Sequence, residues 1–156
     1  MTGGANTVKN CTAIILAAGQ STRLGQSKQL LKYRNKTLLQ HAIDAAKQSL
    51  VKSIVVVLGS NADNILKETD TSEVQVAIND DWQSGMASTI RCAIQSSQTI
   101  DSSIDAAILM VCDQPFATPE LWNSLIEKRN DTGNPIIASK SGDTIGKPAL
   151  FHRQFF

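Results

Sequence analysis

Ala13-Ile-Ile-Leu-Ala17, Ile54-Val-Val-Val-Leu58 and Ala106-Ala-Ile-Leu-Met-Val111 are apolar at every consecutive position. A strand with one wet face alternates apolar and polar residues. A strand with no polar position needs cover on both faces, which is the situation of a parallel sheet sandwiched between helices. The runs are of strand length and far too short to span a bilayer. With their flanking residues they predict strands at 12–17, 53–58 and 106–111. Similar but weaker patterns predict strands at 74–78 and 135–139, and a further one at 147–151.

The intervening stretches carry helical spacing. Leu39, Ile43, Ala46 and Leu50 fall on one face, and Thr37 with Gln40 three residues on makes a capping box at its start. Met86, Ile90, Ala93 and Ile94 make a second apolar face. Leu121, Trp122, Leu125 and Ile126 make a third, opened by Thr118 as N-cap with Pro119 in the first helical position. A shorter helix is expected near 61–68. Strand and helix alternate throughout, so the predicted fold is a three-layer α/β/α sandwich with a mostly parallel, Rossmann-like sheet. Residues 1–10 show no periodicity and are expected to be a flexible tail, with one domain over 11–156.

Composition narrows the function classes. A hydrophobic fraction of 42% with 19% charged residues supports a folded core in a chain of 156 residues. A net charge of +1 argues against a protein that coats nucleic acid, and no segment reads as a membrane anchor. Cys11, Cys92 and Cys112 are widely spaced with no CxxC pair, the usage of reduced thiols in a cytoplasmic protein.

The chemistry concentrates after the first strand, in Leu16-Ala-Ala-Gly19-Gln-Ser21-Thr-Arg23-Leu-Gly25-Gln-Ser-Lys28. Small residues leave this backbone free to wrap an anion with its N–H groups, and Arg23 and Lys28 add two positive charges. That combination suits a triphosphate. It is not a Walker A loop, because five residues separate Gly19 from Gly25 and Gln26 follows. Nor is it the GxGxxG dinucleotide fingerprint, since Gln20-Ser21 follow Gly19. A solvated strand-to-helix turn would explain any one of these residues alone. Asp113, just past an apolar strand, sits where an active-site Mg²⁺ ligand is expected in such sheets, although an Asp before a turn could stand there too.

The loop resembles the LAAGxSxRxGxxKxLL pattern of the MobA-like NTP transferases from Leu16 to Leu31. Three further blocks resemble that family in the same order: Asn79-Asp-Asp-Trp82-Gln-Ser-Gly85-Met-Ala-Ser88-Thr-Ile-Arg91, then Asp113-Gln114-Pro115 followed by Thr118-Pro119-Glu120-Leu121, and Gly146-Lys-Pro148-Ala-Leu-Phe151. The resemblance implies a magnesium-dependent nucleotidyltransferase. The NTP would be held by Leu16, Ala17, Ala18, Gly19, Gln20 and Ser21 with Arg23 and Lys28, and by Asn79, Gly85, Ser88 and Asp113. Arg23 and Lys28 are the implied catalytic residues, and Asp113 is the implied ligand of Mg²⁺.

Within that family, the guanylyl branch typically reads LAGG and the cytidylyl branch LAAG. Ala18 and the Gly85-Met-Ala-Ser88 block therefore favour CTP over other NTPs, with molybdopterin as the small phosphorylated acceptor. A sugar-phosphate or methylerythritol-phosphate type cytidylyltransferase is the alternative among enzymes. Relative to family members that run on for several more elements, the domain looks cut short at Phe156, before a second acidic metal ligand. A nucleotide-binding module without turnover is therefore the alternative in another class. Phe151, Phe155 and Phe156 are expected to be exposed unless something covers them.

Overall fold

The computed structural model describes residues 7–20, 25–114 and 117–156. The apolar runs form the centre of a six-stranded sheet. Its members are β1 (Cys11–Ala17), β4 (Ser53–Leu58), β5 (Gln75–Ile78), β6 (Ala106–Val111), β7 (Ile136–Ser141) and β8 (Thr144–His152), in the order β5-β4-β1-β6-β8-β7. The pairs β4–β5, β1–β4 and β1–β6 are parallel, whereas β8 runs antiparallel to both β6 and β7. A two-stranded hairpin, β2 (Lys32–Tyr33) with β3 (Lys36–Thr37), lies apart from the sheet.

Both faces of the centre are covered, as continuous apolar strands require. Every residue of β1 is buried. Ala13, Ile15 and Ala17 face a core completed by α1 (Leu38–Lys47), α2 (Ala62–Lys67) and α4 (Pro119–Thr132) through Leu39, Ile43, Ile65, Trp122 and Leu125. Ile14 and Leu16 face the opposite side, where α3 (Met86–Ile100) contributes Ala93 with Ile90 and Ile94. The expected α/β/α sandwich is the observed fold, with an antiparallel strand inserted beside β6. Among the described residues no helix is long and apolar enough to cross a membrane.

The helix starts follow their caps. Thr118 Oγ1 accepts from the Leu121 N–H at 3.3 Å, with Pro119 behind it. Thr37 Oγ1 accepts from the Gln40 N–H at 3.1 Å, but Gln40 does not complete a capping box. Its amide instead donates to Asp44 Oδ1 at 3.0 Å and accepts from the Asp70 N–H at 2.9 Å.

Three expectations need correction. Residues 8–10 are anchored to the fold: Val8 is buried and its N–H donates to Asn130 Oδ1 at 2.7 Å, while the N–H groups of Lys9 and Asn10 donate to the Asp105 carboxylate at 2.9 and 3.1 Å. Leu50 is 56% exposed, because α1 ends at Lys47 and the chain turns away before reaching it. Of the C-terminal phenylalanines only Phe155 is exposed. Phe151 and Phe156 are half-buried against the α3-side core.

Candidate active site

The chain leaves β1 through α1 toward β4 and β5, then returns to place β6 on the other side of β1. Neighbouring strands whose connections diverge leave a crevice at their carboxyl ends, where ligands bind in open α/β sheets. Here the crevice is a cavity of about 270 Å³. Leu16, Ala17, Ala18, Gly19 and Gln20 border it from the end of β1, and Val111, Cys112 and Asp113 from the end of β6. Lys28, Gln29, Trp82, Gly85, Met86 and Thr89 complete its wall.

Eight of the residues singled out in the sequence thus converge on one cavity: Leu16, Ala17, Ala18, Gly19, Gln20, Lys28, Gly85 and Asp113. Ser21 and Arg23 lie outside the described residues. Asn79 and Ser88 are not in the lining. Both are buried, and Asn79 Nδ2 donates to Ser88 Oγ at 2.9 Å and Thr89 Oγ1 at 3.1 Å, while its Oδ1 accepts from the Asp81 N–H at 3.1 Å. Ser88 Oγ lies 2.9 Å from the Asp81 carbonyl and 2.7 Å from that of Gly85, and donates to one or the other. These polar groups, expected to help hold the NTP, here pin residues 79–85 to the start of α3. Gly85 has φ +102°, a conformation that strains any side chain, and so turns the chain sharply into α3.

Lys28 begins a short helical turn, Lys28–Leu30, and its Nζ lies 3.8 Å from Asp113 Oδ2. Their side chains are 49% and 42% exposed, so the contact contributes at most about 1 kcal/mol to folding. Its interest is positional, since it sets a cation and a carboxylate side by side across the crevice. Cys112 lies in the same wall. Burial, reinforced by the neighbouring Asp113 carboxylate, pushes its thiol up to about 12, and it stays protonated at neutral pH.

Gln29 is the member that the sequence did not disclose. It is 3% exposed, and its Nε2 donates to the carbonyls of Ala17 at 2.8 Å and Gly19 at 3.2 Å. The Ala18 carbonyl between them accepts from the Ser60 N–H at 3.1 Å. Three successive carbonyl oxygens, which would repel a phosphate, are thereby held by protein donors. What the loop can then offer the cavity is its N–H groups. Among the described residues Gln29 Oε1 has no hydrogen-bond partner, a cost that offsets part of what the two hydrogen bonds contribute. Gln29→Met releases both carbonyls and should weaken binding of an anionic ligand in the cavity by about tenfold, roughly 1.4 kcal/mol. Calorimetric affinity equal to wild type would remove Gln29 from the site.

A second cavity, of about 770 Å³, opens on the other side of Asp113, between α4 and the β7–β8 pair. Lys128, Lys140 and Lys147 line it together with Ser124, Ser139 and Ser141, over an apolar floor of Leu121, Leu125 and Ile137. Gln114 Nε2 donates to the Lys147 carbonyl at 2.8 Å, tying the end of β6 to this wall. Asp113 borders both cavities.

Comparison with known proteins agrees with this fold. The crystal structure of Rv0371c from Mycobacterium tuberculosis H37Rv superposes with a TM-score of 0.84 at 29% identity, over 95% of this chain and 74% of that one. A second structure of that protein, a complex with manganese, matches at 0.78 and 26% identity, over 93% and 72%. In sequence the chain is 32% identical over 105 residues to the nicotine blue oxidoreductase of Paenarthrobacter nicotinovorans, covering 67% of this chain and 50% of that protein. It is 28% identical over 148 residues to the "Probable molybdenum cofactor guanylyltransferase" of Bacillus mycoides, covering 94% of this chain and 70% of that protein. The model of the MobA-like NTP transferase domain matches residues 13–156, both cavities included, and the chain belongs to that family.

Proposed function

We propose that this protein is a nucleotidyltransferase that moves a nucleoside monophosphate from an NTP, preferably CTP, to a small phosphorylated acceptor, preferably molybdopterin, with release of pyrophosphate. The observation that carries this reading is the position of Asp113, on the border between a loop-lined crevice and a lysine-lined cavity. A donor nucleotide in the first and an anionic acceptor in the second would meet at this residue.

The chemistry follows from that juxtaposition. An oxygen of the acceptor phosphate attacks the α-phosphorus of the NTP, the new P–O bond forms, and the bond to the bridging oxygen breaks as pyrophosphate departs. The main chain of Leu16–Gln20 would hold the nucleotide. Lys28 would meet the negative charge that grows around the α-phosphorus, and Lys128, Lys140 and Lys147 would hold the acceptor's phosphate. Arg23 is assigned to the departing pyrophosphate through the family resemblance.

A divalent cation fits this donor set. Asp113 is the one carboxylate lining the crevice among the described residues, and among these no cluster of three His, Cys, Asp or Glu could hold a metal alone. Mg²⁺ commonly takes one or two carboxylates and completes its shell with water and substrate phosphates, which matches a lone Asp113 beside a triphosphate. When bound, the ion supplies positive charge against the phosphate oxygens. The manganese complex of the mycobacterial relative supports a divalent metal in this protein as well.

CTP is preferred because Ala18 stands where the guanylyl branch typically carries glycine. CTP with Mg²⁺ is expected to raise the melting temperature more than GTP with Mg²⁺, and CTP at 100 times its Kd should stabilise the fold by about 2.7 kcal/mol. An equal or larger shift with GTP would overturn the nucleotide assignment. Pyrophosphate release with molybdopterin, and not with sugar phosphates or methylerythritol phosphate, tests the acceptor. Nucleotide binding without release from any of them would identify a binding module instead.

A further inference from the structure

The crevice has a mixed lining. Gly19, Lys28 and Asp113 border it together with the apolar side chains of Leu16, Trp82 and Met86. Trp82 begins a short helical turn, Trp82–Ser84, and packs beside the α3-side core while remaining only half-buried. The chain makes specific room for it. A methyl group added at Gly59 would lie 2.6 Å from Trp82 Cβ and 2.8 Å from its Cγ, and 3.0 Å from the Ala18 carbonyl. Trp82 is therefore seated directly on backbone at the end of β4, next to the loop that forms the crevice.

It is also held in place. Asn79 and Ser88 anchor Asp81 on one side, and the Gly85 N–H donates to the Trp82 carbonyl at 3.2 Å on the other. The second tryptophan shows what packing alone produces: Trp122 is fully buried in the other core. Trp82 instead stays half-buried and lines a cavity. A lining that joins a tryptophan with a glycine loop and a lysine matches a molecule that carries both a flat π-system and phosphates.

Building on the nucleotide reading of this crevice, we propose that Trp82 is the platform on which the nucleobase stacks, and that Gly59 is bare so that the platform can sit there. Stacking is tolerant of base identity, so Trp82 contributes affinity for any nucleotide, and discrimination between bases rests on other groups.

The test measures binding of CTP and of inorganic tripolyphosphate, each with Mg²⁺, to wild type, Trp82→Phe and Trp82→Leu, after thermal melts confirm that the variants fold. Trp82→Leu should weaken CTP binding about 5- to 150-fold, the range for loss of one stacking partner. Trp82→Phe keeps a ring and should stay within a few-fold of wild type. Tripolyphosphate has no base, and its affinity should be the same in all three. CTP should quench part of the wild-type tryptophan fluorescence, and that quench should be missing in Trp82→Phe. Trp82→Leu binding CTP like wild type would overturn the platform. So would an equal loss of tripolyphosphate affinity, which would make Trp82 a prop for the loop. If calorimetry shows CTP bound to wild type without any quench, the platform fails and the nucleotide reading survives. If wild type binds no nucleotide, both fail.

Discussion

Lys28→Ala is expected to lower kcat by on the order of 10²–10³, the loss typical of one removed electrostatic donor in an active site, with a smaller effect on the affinity for CTP. Charge accumulates around the α-phosphorus only as the acceptor oxygen attacks. A cation that meets this charge stabilises the transition state more than the bound substrate, and such contacts appear in kcat more than in KM. Lys28 is half-exposed, and its 3.8 Å contact to Asp113 contributes at most about 1 kcal/mol to folding. A thermal melt of the variant separates any loss of folding from the loss of turnover. Steady-state kinetics with CTP varied, backed by calorimetry, make the measurement. An unchanged kcat would mean that the crevice is not where the phosphates react.

Asp113→Asn should have an effect of similar size by a different route. The amide keeps the shape of the side chain and loses the charge that makes it a ligand for a hard cation. Turnover is expected to fall by on the order of 10²-fold or more, corresponding to the several kcal/mol a metal ion contributes to phosphoryl chemistry. The sharper readout is in binding. Wild type should hold CTP more tightly when Mg²⁺ is present, and the variant should show no such gain. The thermal transition should be preserved, because the side chain is 42% exposed and lies two residues past the end of β6. If Asp113→Asn still tightens on CTP when Mg²⁺ is added, Asp113 serves the structure and not the metal.

The sheet's centre was legible because its strands state their environment at every position. β1, β4 and β6 have no polar face to hide, and a continuous apolar run in a short segment has few other uses. The far edge was harder to read. β8 runs from Thr144, three residues before the expected start, because its first part is held by pairing with β7 and stays exposed. Hydrogen bonding to one neighbour leaves no mark in hydropathy. The β2–β3 hairpin has two residues on each side, and Arg34 and Asn35 take positive φ between them, so no periodicity announces it.

The site divides in the same way. Leu16–Gln20, Lys28 and Asp113 could be located because small backbone, fixed charge and strand-end position are each visible in one dimension. Asn79 and Ser88 have the right chemistry for reading a ligand, but their polar atoms are consumed by each other and by the 79–85 turn. Gln29 is the reverse case. Its side chain reaches back twelve and ten residues to the Ala17 and Gly19 carbonyls, a contact that exists only once the chain has folded over itself.

The position of Asp113 in the chain also has an evolutionary side. Among the described residues, those around the first cavity fall between Leu16 and Asp113, and those around the second between Asp113 and Pro148. The two compartments are therefore consecutive in the chain, joined at one shared side chain. Mutations in α4, β7 and β8 can reshape the second compartment while leaving the lining of the first untouched, apart from Asp113 itself. For an enzyme of the proposed kind, this lets a lineage exchange one acceptor for another by drift in its later segment, with the nucleotide cradle and the reacting centre inherited whole.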